Sequence, residues 1–254
     1  MKSYIAFAKK EFMEQIRTYK LFILLVLLFI LGMMSPLFAK IMPDIIGSMD
    51  FQGMEIKIPE PTFLDAYVQF FKNISQMGFI ALILIFSGLL SGELTRGTLV
   101  NMVSKGVSRS VIILSKFTTA ALIWTIGYLI SIGTNFLYTF YLFGEHSVNN
   151  LTLSLFCLWL FGVFLISTII FSSTIAKGNY GGLIVTFIIY GVLMLGDLFP
   201  KVAKFNPYTL TSKYMDLLNN KVDIGDMNIT IIVTIVVIAL SIIGALKIFK
   251  KNPL

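Results

Sequence analysis

The sequence predicts an all-α integral membrane protein, one transmembrane domain over residues 1–254, and three observations carry the prediction. Of the 254 residues, 57% are hydrophobic and only 13% are charged, about half the charged share of an ordinary soluble domain. Apolar runs long enough to cross a hydrocarbon core, which takes about 20 helical residues, recur along the whole chain. Polar stretches between them are short, at most 33 residues (40–72), which leaves no room for a separate soluble domain.

Taken in order, "SYIAFAKKEFMEQIRTY" places Ile5, Ala8, Phe12, Ile16 and Tyr19 at steps of three and four. Lys10, Glu11, Glu14 and Arg17 mostly face elsewhere, so 3–19 reads as a helix in the membrane interface. Six spans are predicted at 21–39, 73–90, 115–138, 151–173, 180–198 and 229–248. The first follows Lys and Glu residues and lacks a small-residue cleavage site, so it reads as a retained span rather than a signal peptide. Residues 40–72 form an acidic, Pro-containing segment outside the spans, and 144–150 is a short link.

The polar stretch 91–109, "SGELTRGTLVNMVSKGVSR", is longer than a connection needs. On a helical wheel Leu99, Val100, Val103 and Val107 share one side, while Thr98, Asn101, Lys105 and Ser108 share the other. Near the end, 199–228 carries Asn206 as a helix cap, Pro207 at the first helical position, and Leu210, Tyr214 and Leu217 on one face. This predicts an ordered helix over 206–219 that closes one end of a pathway near Asp197 and Pro200.

Alternate connections differ in charge. One side holds 13 of the 20 Lys and Arg residues against three acids, and the other holds 7 against ten. The basic side, with both termini and 91–109, is therefore expected to be cytoplasmic. The net charge of +7 describes membrane topology here, not a nucleic-acid surface.

Catalytic chemistry finds little support. Cys157 and His146 are each the single residue of their type, so thiolate or imidazole metal sites are excluded. Ser87 and Ser91 have no base at matching depth and, with Gly88 and Gly92, suit close helix packing. Gly92 and Gly97 have the spacing of a phosphate-binding loop, but Thr98 stands where its lysine belongs. The spans lack acidic groups at mid-depth, which disfavours ion coupling. Lys116 lies near a span end, from which it can reach the interface, and Asp197 lies near the other end. Asn73, Asn150 and Asn228 begin glycosylation sequons, a pattern without meaning outside a eukaryotic context.

The motif E-x-x-x-G-T-L, here Glu93, Gly97, Thr98 and Leu99, is followed by Ser108 and Arg109 and by Lys116 at the head of the next span. With the interfacial helix, the six spans and the ordered segment before the last span, this layout resembles the membrane subunits of ABC-2 type ABC transporters. Gly106 stands where that family often has proline. The resemblance implies that 91–109 is a coupling helix seated in a cleft of a separate cytosolic ATPase, contacted through Glu93, Arg96, Thr98, Asn101, Lys105 and Arg109. It implies a permease without its own nucleotide site, ATP and magnesium being bound by the partner. A second copy, or a related permease, would complete the pathway in a bacterial plasma membrane. The expected cargo is hydrophobic or amphipathic, an antimicrobial peptide, drug or lipid-like molecule, moved outward. The alternatives are a sodium-exporting permease of the same family and an ATP-independent carrier or channel. The expected site residues are completed by the outer gate, Asp197, Pro200, Leu210 and Tyr214, and by Ile5, Phe12 and Ile16 of the interfacial helix.

Overall fold

The computed structural model describes residues 2–47, 60–95, 97–104, 106–145, 147–176, 178, 180–221 and 224–251. Among them every regular element is a helix. Helix α1 (Lys2–Arg17) is followed, after a turn with Tyr19 at φ 59°, by α2 (Lys20–Gly47). The second span is continuous over Phe63–Leu94 and is built from α3 (Phe63–Asn73), a π-helical turn at Ile74–Gly78, α4 (Phe79–Phe86) and α5 (Gly88–Thr95). A short α6 (Thr98–Ser104) leads into α7 (Arg109–Phe143), α8 (Leu151–Ile175) and α9 (Gly181–Gly196). Three short helices, α10 (Pro200–Ala203), α11 (Thr209–Ser212) and α12 (Tyr214–Leu218), precede α13 (Ile224–Lys251).

Among the described residues five helical segments are long and apolar enough to cross a membrane, and α9, the predicted fifth span, is shorter. Its 16 residues reach about 24 Å, less than the roughly 30 Å of a hydrocarbon core. The segment 40–72 is also more helical than expected. Helix α2 continues to Gly47, and α3 starts at Phe63 because the Asp65 carboxylate turns back to accept from the Thr62 amide and hydroxyl, both at 2.8 Å.

Helix α8 is the central post, with Cys157, Phe161, Leu165 and Ile169 buried. Gly162 lets the Trp124 indole lie directly on its backbone, since a Cβ there would sit 2.2 Å from the ring. The polar edges of this aromatic seam are satisfied. Trp124 Nε1 donates to Trp159 O at 3.1 Å and Tyr128 Oη donates to Leu155 O at 2.8 Å.

Against the other side of α7 lies α2, whose Pro36 is inside the helix. Proline has no N–H, so the carbonyl four residues back, that of Gly32, loses its helical donor. Asn135 Nδ2 replaces it at 3.4 Å. The approach is close because Gly32 has no side chain, and a Cβ there would fall 2.5 Å from Ser131 O.

The bundle has two unlike ends. Helix α1, the 91–109 segment and the last turn of α13 gather at the basic end. The helices α10–α12, the α7–α8 link and the far part of α2 gather at the opposite one. There the predicted helix over 206–219 is two short helices, α11 and α12, parted at Lys213 (φ −93°, ψ 11°), and both follow Asn206. Its Oδ1 accepts from Tyr208 N at 3.1 Å and its Nδ2 donates to Leu193 O at 2.7 Å, tying the segment to the last turn of α9.

Candidate functional site

Within 91–109, helix α6 is held between two glycine turns. Gly97 (φ 67°) and Gly106 (φ 88°) occupy the left-handed region, which a residue with a Cβ adopts only at a cost. Between them α6 buries Leu99 completely and half-buries Met102 and Val103, while Thr98, Asn101 and Ser104 are exposed. Val107 is also half-buried. Ser108 then caps α7, its hydroxyl accepting from Val111 N at 3.4 Å.

Behind this surface lies a knot of charge. Lys116, 1% exposed and seven residues into α7, places Nζ 2.8 Å from Glu11 Oε2 of α1 and 2.8 Å from Glu93 Oε2 of α5. Glu11 is equally buried, and Glu93 is 12% exposed. Lys10 closes the set with Nζ 3.0 Å from Glu11, 2.8 Å from Glu14 and 3.1 Å from Glu93. Three carboxylates and two ammonium groups therefore join three helices that are far apart in sequence.

Burial and pairing act against each other on the outer members. Burial lowers the Lys10 pKa, but its hydrogen bond to Glu14 and the charges of Glu11 and Glu93 outweigh this and raise it above its ordinary value. For Glu14 burial raises the pKa, and the Lys10 hydrogen bond and charge outweigh it, leaving it lowered. The carboxylate oxygens of Glu11, Glu14 and Glu93 lie within 4.8 Å of one another, a spacing that suits a cation. The two lysine ammonium groups already meet that need.

The structure divides the expected coupling residues. Thr98 and Asn101 stand on the exposed face, whereas Glu93 is turned inward to Lys116. Arg109 is also turned to the protein. Its Nη1 donates to Phe249 O at 2.8 Å and Lys250 O at 2.9 Å, and its guanidinium lies over the Phe249 ring, so it caps the end of α13 where carbonyls lack partners. Arg96 and Lys105 lie outside the described residues, as does His146.

Lys116 does not extend to the interface as the sequence suggested, because two carboxylates meet it where it is. The face that helix α1 turns to the bundle is not its apolar stripe. Phe7, Glu11 and Gln15 are buried against the bundle, Ile5 and Ile16 are exposed and Phe12 is half-buried. The apolar stripe is thus available to lipid, and the charged residue Glu11 faces in. Sequence reasoning missed the knot, although one signal was present. A lysine inside an apolar run requires a carboxylate at its depth.

At the opposite end Asp197 accepts a hydrogen bond from Thr209 Oγ1. Pro200 opens α10 and, with Thr209, lines a cavity of about 260 Å³. Leu210 is buried, and Tyr214 stacks on Phe71 with ring centroids 5.1 Å apart. The four expected gate residues therefore lie in one packed layer, with Asn150 Nδ2 donating to Leu217 O and Asn220 Oδ1 to hold it down.

Residues 5–252 match the family model described as ABC-2 family transporter protein. An uncharacterized transmembrane protein of Bacillus subtilis (strain 168), YxlG, is 26% identical over 181 residues, covering 70% of this chain and 69% of that protein. The chain belongs to the ABC-2 transporter family, a family of multi-pass membrane transport subunits.

Proposed function

We propose that this ABC-2 family chain is the permease half of an ATP-driven exporter and that a separate cytosolic ATPase drives it through the exposed face of α6. The basic end is then cytoplasmic, with both termini on that side, as the unequal distribution of lysine and arginine requires. The observation that carries the reading is the Glu11–Lys116–Glu93 knot. A push on α6 reaches α5 across one glycine turn, and through Lys116 it reaches α7 and α1 together.

Glu93 and Arg109 then act as positioning residues behind the contact surface, and Thr98 and Asn101 meet the ATPase. ATP and magnesium are bound by that partner. A second permease copy, or a related permease, supplies the other wall of the pathway, and Asp197, Pro200, Leu210 and Tyr214 seal its outer end. The cargo leaves the cell and is hydrophobic or amphipathic, because the spans offer apolar walls and no acidic relay.

The test uses Thr98→Cys and Asn101→Cys in membranes that also contain the cytosolic ATPase proposed as the partner. Both positions are expected to crosslink to it, while Met13→Cys, on the lipid-facing side of α1, is not. Labelling of residue 101 by a membrane-impermeant maleimide added outside intact cells would overturn the topology and the role together.

A further inference from the structure

A second site lies in the opposite half of the molecule, where the π-helical turn Ile74–Gly78 interrupts the second span. Such turns widen a helix by one residue and leave a carbonyl out of register. Tyr190 of α9 takes up that carbonyl, its hydroxyl donating to Ser75 O at 3.4 Å. Beside it is a half-open cavity of about 330 Å³ between the second span, α9 and the 208–214 segment. Two hydroxyl oxygens on its wall, Ser75 Oγ and Ser212 Oγ, are buried and have no hydrogen-bond partner. Buried polar atoms are rarely left unsatisfied.

The wall is graded along its length. Lys72 stands at the rim and is the one charged group among the described residues that line the cavity. Ser75 follows one turn along the same span and the exposed apolar side chain of Ile80 lies beyond it, while Ser212 and Met194 line the cavity from the facing elements. Lys72 and Ile80 are eight residues apart on one span, about 12 Å at helical rise. A cation, then unpaired hydroxyls, then an apolar face open to the membrane is the complement of one amphiphile: an anionic head, hydrogen-bonding oxygens below it, and a hydrocarbon tail.

We propose that this cavity binds a membrane-embedded amphiphile with an anionic head, of the phospholipid type, with Lys72 on the head, Ser75 and Ser212 on the oxygens beneath it, and the tail along Ile80. The site goes beyond the transport reading and stands without it, since it requires neither the ATPase nor the cytoplasmic knot.

Native mass spectrometry of the purified chain in detergent tests this, with dioleoylphosphatidylglycerol and dioleoylphosphatidylcholine as probes at equal concentration. Phosphatidylglycerol is expected to bind about tenfold more tightly, as one charge-assisted contact allows. Lys72→Gln removes that preference, and Ser75→Ala with Ser212→Ala weakens both lipids several-fold while the protein stays folded. Lys201→Gln, an exposed lysine at the same end, leaves the preference intact. Equal binding of the two lipids, or an equal loss in Lys201→Gln, would overturn the site. Displacement of phosphatidylglycerol by inorganic phosphate alone would overturn the amphiphile in favour of a free anion.

Discussion

The two ends of the bundle hold their chain connections by different physics. At the basic end the connection between the second and third long helices is anchored by charge, with Lys116 and Glu11 both 1% exposed. At the opposite end the 199–221 segment is anchored by apolar burial of Leu210, Leu217 and Leu218, by the Tyr214–Phe71 stack and by amide caps from Asn150 and Asn206. Ion pairs occur there too, but on the surface. Lys204 and Asp226 pair at 2.8 Å with side chains 52% and 40% exposed.

The difference is mechanical. A stack of rings tolerates sliding and sealing, because dispersion contacts are many and non-directional. A buried ammonium between two carboxylates has no favourable alternative position nearby, since any displacement leaves charge unpaired. The basic end is the one with the stiff joint.

Breaking the joint is therefore expected to give the largest effect in the molecule. Lys116→Ala leaves the buried Glu11, with Glu93, to share the half-exposed Lys10 and is predicted to destabilise the protein by about 3–5 kcal/mol, read as the unfolding midpoint in detergent. Lys204→Ala at the other end is predicted to cost no more than about 1 kcal/mol. If the two variants unfold alike, the contrast between the ends is lost. The reversed pair, Glu93→Lys with Lys116→Glu, is expected to recover part of the loss.

Leu210→Ala comes next, at about 2–5 kcal/mol, because it empties a buried position in the layer that seals the opposite end. Tyr214→Leu follows at about 0.5–1.5 kcal/mol, the value of an aromatic pair beyond its area. Both are read from the same unfolding curve, with hydrogen exchange confined to 209–218 as the local signature.

How much of this was open to reading from residues alone depended on whether the signal was local. The five long spans follow from runs of apolar side chains, and the in-and-out pattern of α6 follows from Leu99 and Asn101 two positions apart on a helix. The knot does not, because Glu11 and Lys116 are 105 positions apart and periodicity in α1 marks an interfacial stripe through Ile5 and Ile16 without showing which residues meet the bundle. A stripe of apolar residues says which side avoids water, and in a membrane both lipid and protein satisfy it. Arg109 was misread for a related reason: the carbonyls it caps belong to the far end of the chain. The break at Lys213 was hidden because Leu210, Tyr214 and Leu217 give the same apolar periodicity whether one helix or two carry them, and Lys213 is not a helix breaker by type.

The smallest expected effect concerns pH. The Glu14 carboxyl is held below its ordinary value of 4.5 by Lys10 against the opposing effect of burial. A depressed carboxyl contributes stability that is present above 4.5 and lost as pH falls through its lower folded value. The α1 end should loosen slightly below pH 4.5, seen as proteolysis between residues 9 and 20, and Glu14→Gln should remove that dependence. The opposite end should show no matching change.

The most direct test of the joint is amide hydrogen exchange in lipid nanodiscs, comparing the wild type with Lys116→Gln. The account predicts that protection falls together in α1, which Lys116 holds through Glu11, and in 98–104, which it holds through Glu93 and the Gly97 turn, while 209–218 keeps its protection. Unchanged exchange in 98–104 with α1 loosened, or an equal loss at both ends, would contradict it, because Lys116 would then not be what couples α6 to the spans.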